Sequence, residues 1–165
     1  MLSFVSGYRT AIVALLLALV TGTFVPTPPA AAAQQSATLN GLRYDLVSAK
    51  RMGSVGAKYD TARAQGTFLV LRFHISNATD RAERAQLLHA YLVGAANVRY
   101  RVASNATEIL SAGSASENTL QEVHPHFPIS VVIAFDVPAS ARKFDLHIVA
   151  HYPLVGIDRV MQIRV

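Results

Sequence analysis

The sequence contains no cysteine and no tryptophan, only 10 acidic residues, and charged side chains at just 15% of its 165 positions. Each shortage removes a class of explanation. Without cysteine, no disulfide framework can hold the chain and no lipidated amino terminus can anchor it. Low charge beside 52% apolar residues excludes a highly charged disordered chain, and a total of 9 glycines excludes a collagen-like one. Neither a Gly-x-Ser-x-Gly elbow nor a phosphate loop occurs: Gly53-Ser-Val-Gly56 is too short for the latter, and no Lys-Ser/Thr follows it. The serines cluster in Ser111–Ser116, and Glu117 and Glu122 suggest no paired-carboxylate site. No enzyme activity and no cofactor are expected.

Charge is also missing locally, from Thr10 to Leu42. Arg9 precedes the apolar run Ala11–Val20, and Pro26, Pro28 and Pro29 end any helix short of the about 20 apolar residues that a membrane span needs. Ala31-Ala32-Ala33 then supplies the small-residue pattern of a signal-peptidase site, with Gln34 as the new amino terminus. The expectation is a signal peptide over residues 1–33, a polar linker over 34–41 and one domain over 42–165; an uncleaved membrane anchor is the alternative. Arg9 stands alone, so twin-arginine export is excluded. Once the leader is gone, basic residues still outnumber acidic ones, but they are scattered: Lys50-Arg51, Arg81, Arg84, Arg99, Arg101, Arg142-Lys143. No dense basic stripe or aromatic platform marks a nucleic-acid surface. Weak attraction to an anionic envelope surface remains compatible with this charge.

Downstream, apolar residues recur at period two between turn residues, the mark of an all-β protein. In Gly66–Asn77 one face carries Leu69, Leu71, Phe73 and Ile75. The alternation repeats over Ile129–Val137, with Ile129, Val131, Ile133, Phe135 and Val137 inward, and over Phe144–Tyr152, with Phe144, Leu146, Ile148, Ala150 and Tyr152 inward. Further strands are expected over Leu42–Ala49, Ala85–Val93, Val98–Ala103, Thr119–Val123 and Ile157–Val165. Gly94–Asn97 and Pro138–Ala141 should each close a hairpin. Asn105-Ala-Thr-Glu108 has the spacing of a helix N-cap with a reciprocating glutamate, so a short helix is expected in the crossover Ser104–Asn118. Arg51–Gln65 is expected to be a long connection between sheets. Seven or eight strands with single-faced alternation imply an antiparallel β-sandwich.

Two stretches carry a family resemblance. Gly66-Thr-Phe-Leu-Val-Leu-Arg-Phe-His-Ile-Ser-Asn77 and the strand end Phe135-Asp-Val-Pro138 resemble the bacterial secreted or lipid-anchored immunoglobulin-like domains, which include telokin-like proteins and the mycobacterial immunoprotective extracellular protein. The resemblance covers about residues 42–165. It implies an immunoglobulin-like sandwich outside the cytoplasm, of unknown molecular activity. Family members often have Pro-Gly before the penultimate long strand, where this chain has His124-Pro-His-Phe-Pro128; many also follow a lipidated cysteine, absent here.

Candidate site residues are few. His124 and His126 lie two apart, and on a chain kept extended by Pro125 they would point to one side; with His151 they form a candidate zinc or copper site. Against this, a Pro138–Ala141 hairpin would set His151 opposite Ser130, on the order of 13 Å from His126. Arg99 and Arg101 alternate with Val98, Tyr100 and Val102, and Arg72 and His74 alternate with Leu71 and Phe73, so both pairs are candidates for a basic patch facing an anionic partner. Outward Phe68 and Val70 are expected either under the Arg51–Gln65 segment or in a contact surface. Asn77-Ala-Thr79 and Asn105-Ala-Thr107 match the glycosylation acceptor pattern, but Asn at a turn explains both equally. The leading expectation is a secreted binding module whose partner is an unknown protein or envelope component, with no nucleic acid, and with membrane contact only through an uncleaved leader. A metal-binding secreted protein is second, and an enzyme of unfamiliar type third.

Overall fold

Alternation along the longest strands decides the architecture, because each presents one apolar face that must be covered. The computed structural model describes residues 35–57, 60–85, 87–112, 122–150 and 157–164, with backbone alone for 157–164, Leu88 and Ala150. Among these, ten strands and one helix follow in order: β1 Ser36–Leu39, β2 Leu42–Ala57, β3 Asp60–Asn77, β4 Glu83–Arg84, β5 Tyr91–Val93, β6 Arg99–Arg101, α1 Ser104–Ala112, β7 Glu122–Val123, β8 Ile129–Val137, β9 Lys143–Ala150 and β10 Ile157–Arg164. A first sheet has the order β1-β2-β3-β8 and a second the order β10-β9-β5-β6, while β4 and β7 form a two-stranded ribbon. Every pairing is antiparallel.

The two sheets share one core. Leu69, Leu71, Phe73 and Ile75 of β3 and Val131, Ile133, Phe135 and Val137 of β8 meet Leu92 of β5 and Phe144, Leu146 and Ile148 of β9. Phe73 and Phe135 are wholly excluded from solvent, and burial of such a side chain contributes roughly 1.5–3 kcal/mol. The inward faces read from β3, β8 and β9 therefore hold for every residue whose side chain is described. The other face of β3 and β8 is buried as well. There Phe68, Val70, Val132 and Ala134 pack with Ala106, Ile109 and Leu110 of α1 and with Val55 and Ala62 of the β2–β3 hairpin. Phe68 and Val70 are thus covered, not offered as a contact surface.

Four expectations need correction. Arg51–Gln65 is not a long connection: β2 and β3 stay paired to Ala57 and Asp60, with register shifts at Leu46/Ser48 and Met52/Ser54. Most of this arm is solvent-exposed, so its backbone ladder runs on without the alternation that marks a half-buried strand. Second, Pro138–Ala141 does not close a hairpin. The amide of Ala141 bonds the carbonyl of Pro138 at 3.2 Å, but β8 pairs with β3 and β9 pairs with β10 and β5, so this turn carries the chain from one sheet to the other. Third, Ala85–Val93 is not one strand: it follows β4 and holds a 3-10 turn at Leu87–His89 before β5, which covers only Tyr91–Val93. Ala85, Leu87 and Ala90 are all buried, a spacing that strict alternation cannot satisfy. Fourth, the polar stretch before Leu42 contains β1, joined to β2 by Asn40-Gly41 with φ of 51° and 77°, a two-residue hairpin turn. In addition, α1 begins at Ser104, which puts Asn105 inside the first turn and not at the cap. Gly94–Asn97 does close its hairpin, with the Gly94 amide bonded to the Val98 carbonyl at 2.9 Å.

The residues that carry the family resemblance have structural work. Asp136 accepts hydrogen bonds from the amides of Gln65 (2.7 Å) and Gly66 (3.1 Å), tying the end of β8 to β3. A Cβ on Gly66 would lie 2.3 Å from the Val137 carbonyl oxygen. Asn77, 7% exposed, donates to the carbonyls of Arg81 and Val123 and accepts from the amide and hydroxyl of Thr79. That saturated turn explains the Asn77-Ala-Thr79 pattern. Arg51 donates to the carbonyls of Ala139 and Ala141 in the inter-sheet turn; desolvation, then the charge of Arg142, lowers its pKa.

Candidate functional site

A surface that binds must offer exposed polar or charged side chains. The outer face of the second sheet does so. In β5, Leu92 is buried in the core, so Tyr91 and Val93 face outward. The register places Tyr91 between His147 of β9 and Arg101 of β6, and Val93 between Asp145 and Arg99. His147 stacks on the Tyr91 ring at 4.6 Å between centroids with 10° between planes. From the β6 side, the Arg99 guanidinium carbon lies 4.8 Å from the same ring centroid. The order β9-β5-β6 thus holds Tyr91 between an imidazole and a guanidinium. Such a contact contributes about 0.5–1 kcal/mol at an exposed site and orders the guanidinium plane.

Where β6 ends, the chain leaves the second sheet. Val102 bridges to Phe135 of β8, the amide of Ala103 bonds the carbonyl of Ala134 at 2.7 Å, and α1 starts at Ser104. Thr107, 2% exposed, fixes this crossing by accepting a hydrogen bond from the Ala134 amide at 3.0 Å. Three-residue β6 and the departing chain leave a groove of about 580 Å³, lined by His89, Ala90, Tyr91, Arg99, Arg101, Val102 and Ser104. No described carboxylate lines it. Among the described residues, neither Arg99 nor Arg101 is ion-paired. The α1 amino terminus, with its partial positive charge, adds to the same field.

The residues singled out from sequence divide between faces. Arg99 and Arg101 are exposed and on this groove, as their alternation about Tyr100 implies. Arg72 and His74 are also exposed, but on β3 of the first sheet, with Leu71 and Phe73 between them and the shared core. They flank Ser48 and Val132, and Asp45 and Ser130, respectively. The two pairs therefore lie on opposite outer faces and form no single patch. The nearest carboxylate to His74 in the register, Asp45, already accepts from Arg43 at 2.9 and 3.1 Å.

The His-Pro-His segment is a turn, not an extended strand. The Phe127 amide bonds the His124 carbonyl at 3.2 Å, and His126 has φ of 65°, as the third position of a type II turn requires. Both histidines are exposed, so the extended-chain argument for a shared side does not hold. His151 lies outside the described residues, among which no group of three or more His, Cys, Asp or Glu gathers to hold a metal. Tyr91 and His89 line the groove without having been singled out, and His147 stacks on Tyr91. The Tyr91–Arg101 neighbourhood follows from the Gly94–Asn97 hairpin, but the pairing of β5 with β9 has no local signal.

No family model and no curated protein matches the chain. Two solved structures from Bacillus subtilis share its fold. The "putative lipoprotein" ycdA superposes with a TM-score of 0.58 at 7% identity, over 81% of this chain and 38% of its own. The yjhA protein superposes with a TM-score of 0.55 at 8% identity, over 76% of this chain and 93% of its own. The chain thus spans well under half the length of ycdA. At such identities the likeness establishes an all-β, sandwich-like fold. No described helix is long and apolar enough to cross a membrane.

Proposed function

We propose that this protein is an exported immunoglobulin-like binding module of the cell envelope or extracellular space, and that it engages an anionic protein or envelope component through the outer face of β9, β5 and β6. The observation that carries the reading is the groove containing Arg99 and Arg101, cationic and, among the described residues, without a lining carboxylate. The signal-peptide pattern ending at Ala33 supports export, as does the description of ycdA as a "putative lipoprotein". The immunoglobulin-like assignment is supported by two antiparallel sheets around one core and by the structural use of Gly66, Asn77 and Asp136. Binding is the whole activity in this reading, with no reaction and no cofactor. Capture from envelope extract and culture filtrate by the exported protein, at several salt concentrations, tests it. A partner whose retention falls with salt is expected; none above background refutes the reading. Amino-terminal sequencing of the protein from its native host should begin at Gln34, and an intact leader would instead indicate an anchor.

A further inference from the structure

The groove beside β6 allows its ligand chemistry to be named, an inference that rests on the binding face proposed above. We propose that it is a phosphate-binding site. Arg99 and Arg101 are two apart on one strand and share a face, so their backbones are roughly 6.6 Å apart. The Arg99 guanidinium carbon lies 4.8 Å from the Tyr91 ring centroid, a cation–π contact that restrains the side chain at the groove, and the guanidinium carries five N–H donors. Arg101, directly across from Tyr91, supplies the second fork, and Ser104 supplies a hydroxyl at the amino terminus of α1. A carboxylate has two oxygens and is satisfied by one fork. A phosphate group offers three acceptor oxygens and up to two negative charges, which matches two guanidiniums, a hydroxyl and a helix terminus in one concavity. Among the described residues no carboxylate lines the groove and neither arginine is ion-paired, so a ligand displaces no ion pair with them.

The test uses the full chain, expressed with its own leader and purified after export, labelled for backbone amide NMR. Inorganic phosphate, glycerol 3-phosphate and acetate are titrated at matched ionic strength. Vesicles of phosphatidylglycerol in phosphatidylcholine are added in a separate arm. Phosphate and glycerol 3-phosphate should shift the amides of Tyr91, Arg99, Arg101 and Ser104, and acetate should not. Arg99→Ala and Arg101→Ala should each weaken phosphate binding about tenfold or more, the loss expected for a charge-assisted hydrogen bond. Arg99→Lys should recover little, since an ammonium neither stacks nor forks. Both arginines are exposed, and matching melting curves confirm that the variants fold. Vesicle binding that depends on Arg99 and Arg101 supports the site and identifies a lipid headgroup as the source; soluble phosphate binding without vesicle binding supports it with a free or polymer-borne phosphate. Equal response to acetate overturns the phosphate assignment while leaving the cationic face intact. Shifts confined to other surfaces, or unchanged phosphate binding in the double alanine variant, overturn it, and silence towards all these anions removes the binding face too.

Discussion

Replacing Asn77 by alanine should cost far more than its loop position suggests. The side chain uses both amide hydrogens and its carbonyl oxygen: Nδ2 donates at 2.7 Å to Arg81 O and at 2.7 Å to Val123 O, and Oδ1 accepts from Thr79 N at 2.8 Å and Thr79 Oγ1 at 2.7 Å. The losses are unequal. Arg81 is exposed and its carbonyl lies 2.9 Å from Thr79 Oγ1, so water and the Thr79 proton released from Oδ1 replace what is removed. Val123 is 0% exposed. Its carbonyl loses the Asn77 donor in a site closed to water, at a cost of about 1–3 kcal/mol, and the lost bond to the Thr79 amide adds about 1 kcal/mol more. The sum is roughly 2–4 kcal/mol, which for a domain of this size lowers Tm by roughly 6–12 °C. Urea unfolding followed by circular dichroism should show a lower midpoint at unchanged slope. Asn77→Asp sharpens the test. It keeps the shape and the acceptor oxygen, but turns a carboxylate oxygen towards two carbonyls. The introduced group should ionise less readily in the folded than in the unfolded chain. Its excess penalty over wild type is therefore full at neutral pH and relieved as pH falls through its folded pKa. A change under about 0.5 kcal/mol for Asn77→Ala, the range of an ordinary surface substitution, would refute the reasoning.

Three further perturbations follow from the same geometry. Burial raises the Tyr44 pKa from 10.0 to about 12, so the folded state holds its proton longer than the unfolded chain does. The contribution of Tyr44 to stability should be constant below pH 10 and fall by about 1.4 kcal/mol per pH unit from 10 to about 12; alkaline denaturation of Tyr44→Phe should lack this part of the slope. Asp136→Ala removes the acceptor of the Gln65 and Gly66 amides and should lower stability by about 1–3 kcal/mol in urea melts. Gly66→Ala drives a methyl against the Val137 carbonyl and should cost about 1–3 kcal/mol by the same measurement.

How much was legible depended on whether the signal was local. The faces of β3, β8 and β9 were, because alternation is written into each strand. The Gly94–Asn97 hairpin was too, and with it the outward position of Arg99 and Arg101. Asn40-Gly41 was an equally local hairpin signal, but the polarity of Gln34–Asn40 masked the edge strand it closes. Pro138–Ala141 shows the limit in the other direction. A turn with a proline reads the same whether it returns the chain within a sheet or passes it between sheets, and only the packing of β8 against β3 decides. The β2–β3 arm escaped notice because exposed antiparallel ladders need no alternation. For the groove, one wall lay in a local hairpin and the rest came from the pairing of β5 with β9 and the departure of Val102 towards β8, contacts far apart in sequence. That is why Arg72 and His74 could look like partners of Arg99 and Arg101 until the sheets separated them.

The most direct measurement compares the two faces in one binding experiment. Wild-type protein, Arg99→Ala/Arg101→Ala and Arg72→Ala/His74→Ala, each purified after export, are sedimented with native envelope membranes and with the protein partner fraction at low salt. Loss of retention in the first double variant, with the second retained like wild type, is the expected result. Equal retention of all three, or loss confined to the β3 pair, would contradict the assignment of the binding face to β9, β5 and β6.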